Sequence, residues 1–221
     1  MNRRMLLVIA LLAIVLDAAA APNAPRQVGD TWIRGGAYEI FPDSGANSTV
    51  EVDDALGFGF TVGYLFAEQF AVELLAAMPF QHDINLKANG AKVADVQQLP
   101  PTLSVQWMPA LNSRFKPYVG AGVNMTIFFD ENLNTLTLQQ SLGAGVDYTK
   151  LDLDTVSFGW SGQVGLDVFL TDTMFVNLDL RYISISTDAT LKGSTSGAAD
   201  LSLGDVDIDP FVVGLNFGWQ F

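Results

Sequence analysis

The strongest constraint on the fold is the alternation of side chains in the last eleven residues, FVVGLNFGWQF. Every second residue there is apolar: Phe211, Val213, Leu215, Phe217, Trp219 and Phe221. Successive side chains of a β-strand point to opposite faces, so the segment is predicted to be a strand with one apolar face and one small or polar face. Chain ends usually fray and are polar. An aromatic last residue therefore indicates a strand that stays ordered in apolar surroundings.

Runs of the same character recur along the chain, separated by turn residues. We predict eight strands from them: 31–42, 55–66, 70–86, 92–109, 116–130, 156–171, 174–190 and 203–221. The connections alternate between short and long ones, which places both termini at the end with the short turns. This arrangement is typical of an outer-membrane β-barrel, although a soluble eight-stranded barrel shares the strand count.

The second face of the strands distinguishes the two kinds of barrel. In the run 156–171 the residues that alternate with apolar ones are Gly159, Ser161, Gln163, Gly165 and Asp167. Such a face is too polar for the dry core of a soluble barrel, but it suits the narrow lumen of a small membrane barrel. The apolar face then contacts lipid, and closure pairs every backbone group. The predicted fold is an all-β, eight-stranded antiparallel transmembrane β-barrel with short periplasmic turns and long extracellular loops.

The N-terminal segment has the layout of a signal peptide. Arg3 and Arg4 precede the apolar run MLLVIALLAIVL, and the small residues of DAAAAPNA follow it. We expect cleavage near Ala20 or Ala21, which makes residues 1–21 the signal peptide and residues 22–221 the barrel. An uncleaved anchor is the alternative, although the run is short for a membrane span. The expected location is the cell outer membrane of the Gram-negative type.

Composition excludes several classes of function. The formal net charge of −13 argues against a nucleic-acid partner, because phosphate binding needs a basic surface. The chain has no cysteine, so it has neither a disulfide framework nor a thiolate metal site. Its one histidine, His82, has no partner pattern for a metal site or a catalytic triad. We therefore expect no enzymatic activity, no metal and no cofactor.

Several longer stretches resemble the OmpW family of outer-membrane proteins. They are VELLAAMPFQHDI (72–84), LPPTLSVQWMP (99–109), RFKPYVGAGVNMTIFF (114–129), GLDVFLTDTMFVNLDLRYISISTDA (165–189) and VDIDPFVVGLNFGWQF (206–221). The resemblance covers nearly the whole mature chain. It implies a monomeric eight-stranded barrel whose mostly apolar channel admits small hydrophobic molecules. It also implies that the strand ending at Phe221 is the assembly signal read by the outer-membrane assembly machinery.

Five charged residues are predicted to face the lumen from the strand halves nearest the short turns. They are Arg34, Glu73, Asp167, Asp179 and Arg181. An unpaired charge in a narrow barrel is costly, so these side chains should form a paired network. The network could form the floor of a channel, or it could only hold the barrel together. Both interpretations stay open at the level of sequence.

Two adjacent prolines, Pro100 and Pro101, interrupt the fourth predicted strand. Proline has no N–H for the hydrogen-bond ladder and is normally kept out of central strands. The pair could mark a bulge near the rim or an early end of pairing. It could also mark a lateral seam through which a ligand leaves the barrel wall, and the family resemblance supports a side opening here.

The outer mouth is expected to involve Leu56, His82 and Trp160. Strand alternation alone puts Leu56 and Trp160 on the lipid face unless the strand ends bend inward. Acidic loop residues could hold divalent ions that bridge to lipopolysaccharide, or they could simply be solvated. The sequence thus predicts passive uptake of small hydrophobic molecules with lateral release into the membrane lipid. The alternative is a structural or surface-interaction barrel with a filled lumen.

Overall fold

The computed structural model describes residues 26–43, 50–109, 114–142, 148–193 and 199–221. The predicted signal peptide, residues 1–21, lies outside them. The described residues form these strands and one helix: β1 (Thr31–Phe41), β2 (Val50–Val52), β3 (Ala55–Ala67), β4 (Phe70–Ala77), β5 (Phe80–Leu86), β6 (Lys92–Leu99), β7 (Thr102–Trp107), β8 (Phe115–Leu133), α1 (Thr135–Leu142), β9 (Tyr148–Leu153), β10 (Val156–Phe169), β11 (Met174–Ile183), β12 (Ser186–Gly193), β13 (Leu201–Asp207) and β14 (Phe211–Gln220).

Eight strand segments close into a ring in the order β1, β3, β4, β7, β8, β10, β11, β14. The last strand pairs antiparallel with the first, with Ile33 opposite Trp219. The predicted eight-stranded antiparallel barrel is therefore confirmed. Most barrel strands consist of two segments, because β2, β5, β6, β9, β12 and β13 continue the wall beyond the ring. Among them, β13, β12 and β9 form a separate three-stranded sheet.

The outer surface of the ring carries an apolar band. On β3 the exposed side chains are Leu56, Phe58, Phe60, Val62, Tyr64 and Phe66. The residues between them are small or point into the barrel, where Thr61 is buried. Exposed apolar side chains recur on neighbouring strands, from Phe70 to Met78 and from Phe211 to Phe221. Lipid is the solvent that suits such a surface. In the described ranges, no helix is long and apolar enough to span a membrane.

Both described chain ends lie at the end of the barrel that carries the short turns. The amide of Phe221 donates to the carbonyl of Thr31 at 2.8 Å, so the terminal residue is held in the ladder. The side chains of Trp219 and Phe221 stack outside with their ring centroids 6.5 Å apart. The opposite end rises beyond the apolar band, where exposed outer residues such as Gln81 are polar.

The interior is layered, and the seventh barrel strand (β11 and β12) passes through every layer. Its buried residues are, in order, Phe175, Asn177, Asp179, Arg181, Ile183, Ile185, Thr187, Ala189 and Leu191. Phe175 belongs to an aromatic cluster near the short turns. The polar and charged residues come next, then an apolar cluster that includes Ile183 and Ile185. The last residues line a cavity in the outer part of the barrel.

Candidate channel and outer cavity

The five lumen charges predicted from strand alternation meet in one buried network. Arg34 bonds Glu73, and its second terminal nitrogen is 2.8 Å from Asp167. Arg181 lies 3.0 Å from the other oxygen of Glu73. Arg181 is also 3.2 Å from Asp179. Glu73 therefore joins two guanidinium groups contributed by distant strands.

A sixth charge completes this network. Arg26, just ahead of β1, reaches under the barrel and bonds Asp167. We call Arg26, Arg34, Glu73, Asp167, Asp179 and Arg181 the ion layer. Its three guanidinium groups face three carboxylates, so the formal charges balance, whereas the five predicted residues alone left one acid in excess. Equal numbers of opposite charges offset the cost of burying so many ions away from water.

Neutral polar groups satisfy the remaining carboxylate oxygens. The Tyr118 hydroxyl donates to Asp179 at 2.6 Å. The Asn177 amide donates to Asp167 at 2.7 Å. Asn216 in turn donates to the Asn177 carbonyl oxygen at 3.0 Å. Every carboxylate oxygen of the ion layer therefore has at least one hydrogen-bond donor, which is the condition for burying such a network.

Aromatic rings pack against the ion layer on the side of the short turns. The Arg34 guanidinium lies 5.3 Å from the ring centroid of Trp32 and 4.9 Å from that of Tyr118. Phe169 and Phe175 stack beneath with their centroids 4.9 Å apart. All four rings are at most 1% exposed. The lumen is thus filled by side chains at its periplasmic end.

The outer part of the barrel encloses a cavity of about 570 Å³, which we call the outer cavity. Most of its wall is apolar and comes from β2, β5, β6, β8, α1, β9, β12 and β13, with contributions from Val50, Ile84, Val93, Phe128, Leu138, Leu151, Leu191 and Val206 among others. Its inner end is the apolar cluster, since Val96, Phe128 and Ile208 belong to both. Apolar walls of this extent favour an apolar occupant.

Two polar side chains face each other in this apolar wall. His82 and Gln98 both line the outer cavity and are almost fully buried. His82 Nδ1 lies 2.8 Å from the carbonyl oxygen of Asp53, and its Nε2 lies 2.9 Å from Gln98 Nε2. Both residues lie above the apolar band. Burial lowers the pKa of His82 below its usual range, and the bond to Asp53 only partly opposes this.

The hydrogen-bond ladder between the third and fourth barrel strands is interrupted below this pair. It is in register up to Leu75 opposite Thr102 and resumes at Phe80 opposite Gln98. The third barrel strand therefore places four residues (76–79) opposite three residues (99–101) of the fourth. We call this interval the ladder break. It contains three prolines, at 79, 100 and 101, so it is poor in N–H donors.

The other side of the proline pair stays joined to β8. The amide of Met125 donates to the Pro101 carbonyl at 3.0 Å, and the Asn124 side-chain amide donates to the same oxygen at 3.1 Å. Thr102 donates its hydroxyl to the Pro100 carbonyl at 3.1 Å. Pairing with β8 therefore continues on both sides of the proline pair, at Leu99 and Thr102, whereas pairing with the third barrel strand is interrupted.

Comparison with known proteins agrees with this geometry. The family model described as the OmpW family matches residues 27–221. The chain belongs to the OmpW family. Outer membrane protein W of Vibrio cholerae serotype O1 is 34% identical and covers 95% of this chain and 97% of that protein. The chain is therefore an outer-membrane β-barrel of the Gram-negative type.

Solved and more distant relatives extend the comparison. The crystal structure of OprG from Pseudomonas aeruginosa is similar with a TM-score of 0.78 at 37% identity, covering 90% of this chain and 99% of that one. Dibenzothiophene metabolism operon protein PahQ of Pseudomonas aeruginosa is 25% identical and covers 80% of this chain and 76% of that protein.

Two of the residues expected at the mouth of this OmpW-family barrel do not line its cavity. Leu56 is 70% exposed and Trp160 is 59% exposed, both on the outer surface. The strand ends do not bend inward there, so the alternation of the strand decides their direction. Trp160 instead packs beside Tyr182 on the outside, with centroids 5.1 Å apart. Of the three expected residues, His82 alone reaches the outer cavity.

Several residues that shape the interior of this OmpW-family barrel were missed at the level of sequence. Tyr118 and Asn177 share the inward direction of their charged neighbours, and alternation could have identified them. Arg26 lies outside any strand, so no periodic signal marks it. Gln98, which lies two residues before Pro100, was also missed. In the described part of the chain, no group of three or more His, Cys, Asp or Glu side chains could hold a metal ion.

Proposed function

We propose that this OmpW-family barrel admits small hydrophobic molecules passively and releases them sideways into the outer membrane. The observation that carries the proposal is an apolar cavity in the outer part of the barrel, below which the apolar cluster and then the ion layer fill the lumen. Its volume, about 570 Å³, lies within the range of roughly 300–1,000 Å³ found for small-molecule pockets.

The route follows from what lies below the cavity. An apolar molecule moving straight down would have to pass three buried guanidinium groups and the aromatic rings beneath them. Leaving sideways instead transfers it into lipid, which favours each buried CH₂ by roughly 0.8 kcal/mol over water. The ladder break starts one residue after Gln98, a residue of the cavity wall. A ligand that leaves the cavity through this break passes directly into the bilayer.

One relative supports the class of ligand. PahQ, which is 25% identical to this chain, is named for a dibenzothiophene metabolism operon, and dibenzothiophene is an apolar aromatic compound. The packed inner lumen also suits the alternative, a structural or surface-interaction barrel. A structural barrel has no use for a large apolar cavity, however, so the cavity favours uptake.

The test is to restore N–H donors at the ladder break. We expect the variant Pro100→Thr/Pro101→Val to fold at least as stably as the original, because the new amide of residue 100 can pair with a carbonyl of residues 76–79. The new amide of residue 101 faces β8, as the Pro101 carbonyl does. Uptake of a labelled apolar tracer by whole cells should then fall toward the rate of cells that lack the protein.

A matched control is Pro117→Val. Pro117 lies in β8 near the short turns, where it stands opposite Leu166 and away from the ladder break. Uptake by this variant should stay at the original rate. If the double variant folds and transports the tracer as fast as the original protein, lateral exit at this point is wrong. If the original protein gives no uptake above that of cells without it, the proposed function itself fails.

A further inference from the structure

The inner face of the ladder break carries small side chains. On the third barrel strand, Ala77 packs against the apolar cluster, while Met78 points to the outside and is 63% exposed. On the fourth barrel strand, Pro100 is buried. Ala77 and Pro100 therefore line the break from within, and neither side chain reaches far into the lumen.

Phe80 is the first large inward side chain above the break. It stands opposite Gln98, where the ladder resumes, and it is 3% exposed. It belongs to the apolar cluster together with Val96 and Phe128, which also line the outer cavity. Phe80 therefore lies where the inner end of the outer cavity meets the break.

The ring of Phe80 is turned away from the two prolines. A Cβ atom added at Gly57 of β3 would lie 2.5 Å from Cε1 of this ring and 2.8 Å from its Cδ1, so the ring occupies the space that any other side chain at this position would need. β3 adjoins the third barrel strand on the side opposite to the strand of Pro100 and Pro101. Glycine thus forms a recess, which we call the Gly57 recess, that holds the ring away from the break.

We propose that Phe80 controls passage through the ladder break, and that the Gly57 recess keeps the passage open by holding the ring aside. With the ring in the recess, only Ala77 and Pro100 narrow the passage from within. A ring displaced from the recess moves toward the fourth barrel strand and covers the break, because β3 blocks the opposite direction. The inference rests on the proposed function, because it names the side chain that regulates the same lateral exit.

The outer end of the break opens on apolar side chains. The amide of Met78 donates to the carbonyl of Phe58 at 2.9 Å, which holds this part of the third barrel strand against β3. The side chains of Met78 and Phe58 are 63% and 52% exposed on the outer surface. A hydrophobic molecule that passes Phe80 therefore meets a lipid-facing surface and avoids water.

The experiment fills the recess with one methyl group. In Gly57→Ala the new Cβ is too close to the ring for any ordinary contact, and the three nearest atoms all belong to Phe80, so the ring has to move. Uptake of tritium-labelled naphthalene by whole cells is measured and divided by the amount of folded barrel in their outer membranes. We expect this rate to fall at least roughly fivefold, the factor to which the smaller costs of overpacking correspond.

A second change should reverse the effect of the first. Gly57→Ala/Phe80→Ala removes the ring that the methyl group displaces, so its uptake should return at least to the original rate. Phe80→Trp is an independent variant, because an indole is larger than the ring that the recess accommodates. Its uptake should also fall, so a folding defect in Gly57→Ala does not prevent the test.

Gly214→Ala is the matched control. A Cβ added at Gly214 of β14 would lie 2.6 Å from Cε1 and 2.9 Å from Cδ1 of Tyr38. Tyr38 belongs to the same apolar cluster as Phe80, but it lies on β1, away from the ladder break. This variant crowds an aromatic ring to the same degree without moving Phe80, and its uptake should stay at the original rate.

Three results would overturn the inference and leave uptake by the barrel standing. One is a folded Gly57→Ala variant that takes up naphthalene at the original rate. Another is a loss in Gly57→Ala that Phe80→Ala does not restore, and the third is an equal loss in Gly214→Ala. If the original protein gives no uptake above that of cells without it, the proposed function fails and the inference with it.

Discussion

Replacing Glu73 by glutamine tests whether the ion layer stabilises the barrel. Glu73 accepts one hydrogen bond from Arg34 and one from Arg181. Both arginines and the glutamate are 1% exposed, so water cannot replace the lost charge. Glu73→Gln retains the shape of the side chain, but it leaves three guanidinium groups facing two carboxylates.

The magnitude follows from these contacts. Each hydrogen bond to a charged group contributes about 1.5–3 kcal/mol, and glutamine can keep a neutral bond to one arginine only. Breaking a buried ion pair by removing one partner typically costs about 3–5 kcal/mol. We therefore expect Glu73→Gln to lower the free energy of unfolding by about 3–5 kcal/mol.

The assay is reversible unfolding in urea from lipid vesicles, followed by tryptophan fluorescence. Glu51→Gln is the matched control, because Glu51 is exposed on β2. It should change the free energy of unfolding by no more than about 0.5 kcal/mol. The double variant Glu73→Gln/Arg181→Gln restores equal numbers of both charges and should be more stable than the sum of the two single effects predicts.

The reasoning would be refuted if Glu73→Gln and Glu51→Gln destabilised the protein equally. The buried charge of Glu73 would then contribute no more to the stability of the barrel than the exposed charge of Glu51. A change in the free energy of unfolding for the double variant that equals the sum of the two single changes would be a separate contradiction, since it would mean that Glu73 and Arg181 do not interact in the folded barrel.

A charge on the lipid face should be costly, so Val164→Arg in β10 should lower the free energy of unfolding by about 2–4 kcal/mol. Gln81→Arg, above the apolar band, should leave it unchanged, and urea titrations of both variants check this. Deletion of Phe221 should reduce assembly in cells more than refolding in detergent, and equal losses would indicate simple destabilisation. His82 should titrate below its ordinary value of 6.5 in an NMR titration. The unfolded chain then binds the proton more readily, so stability should fall as the pH drops below 6.5; a midpoint at or above that value would contradict its burial.

The sequence by itself determined the barrel, its strand number and its lipid face. Alternation of apolar and polar residues is a local property of each strand, and in a closed sheet it leaves only two faces to assign. The inward direction of Arg34, Glu73, Asp167, Asp179 and Arg181 followed from the same rule. Their assembly into one network followed from the narrowness of the lumen, which leaves charges no other partners.

Only the tertiary structure decided which residues form the outer cavity. Glu73 and Leu75 face inward, and unbroken alternation would turn His82 outward. The extra residue of the ladder break reverses the alternation, so Phe80 and His82 face inward instead. The pairing of His82 with Gln98, sixteen residues along the chain, depends on this reversal.

The position of Arg26, at the other end of the barrel, was also decided only by the tertiary structure. It lies outside the strands, and only the closed ring brings Asp167 within its reach. The physical reason is common to both ends. Side-chain direction within a strand is set by neighbours in sequence, whereas bulges, register and the contacts of irregular segments are set by partners that the folded barrel brings together.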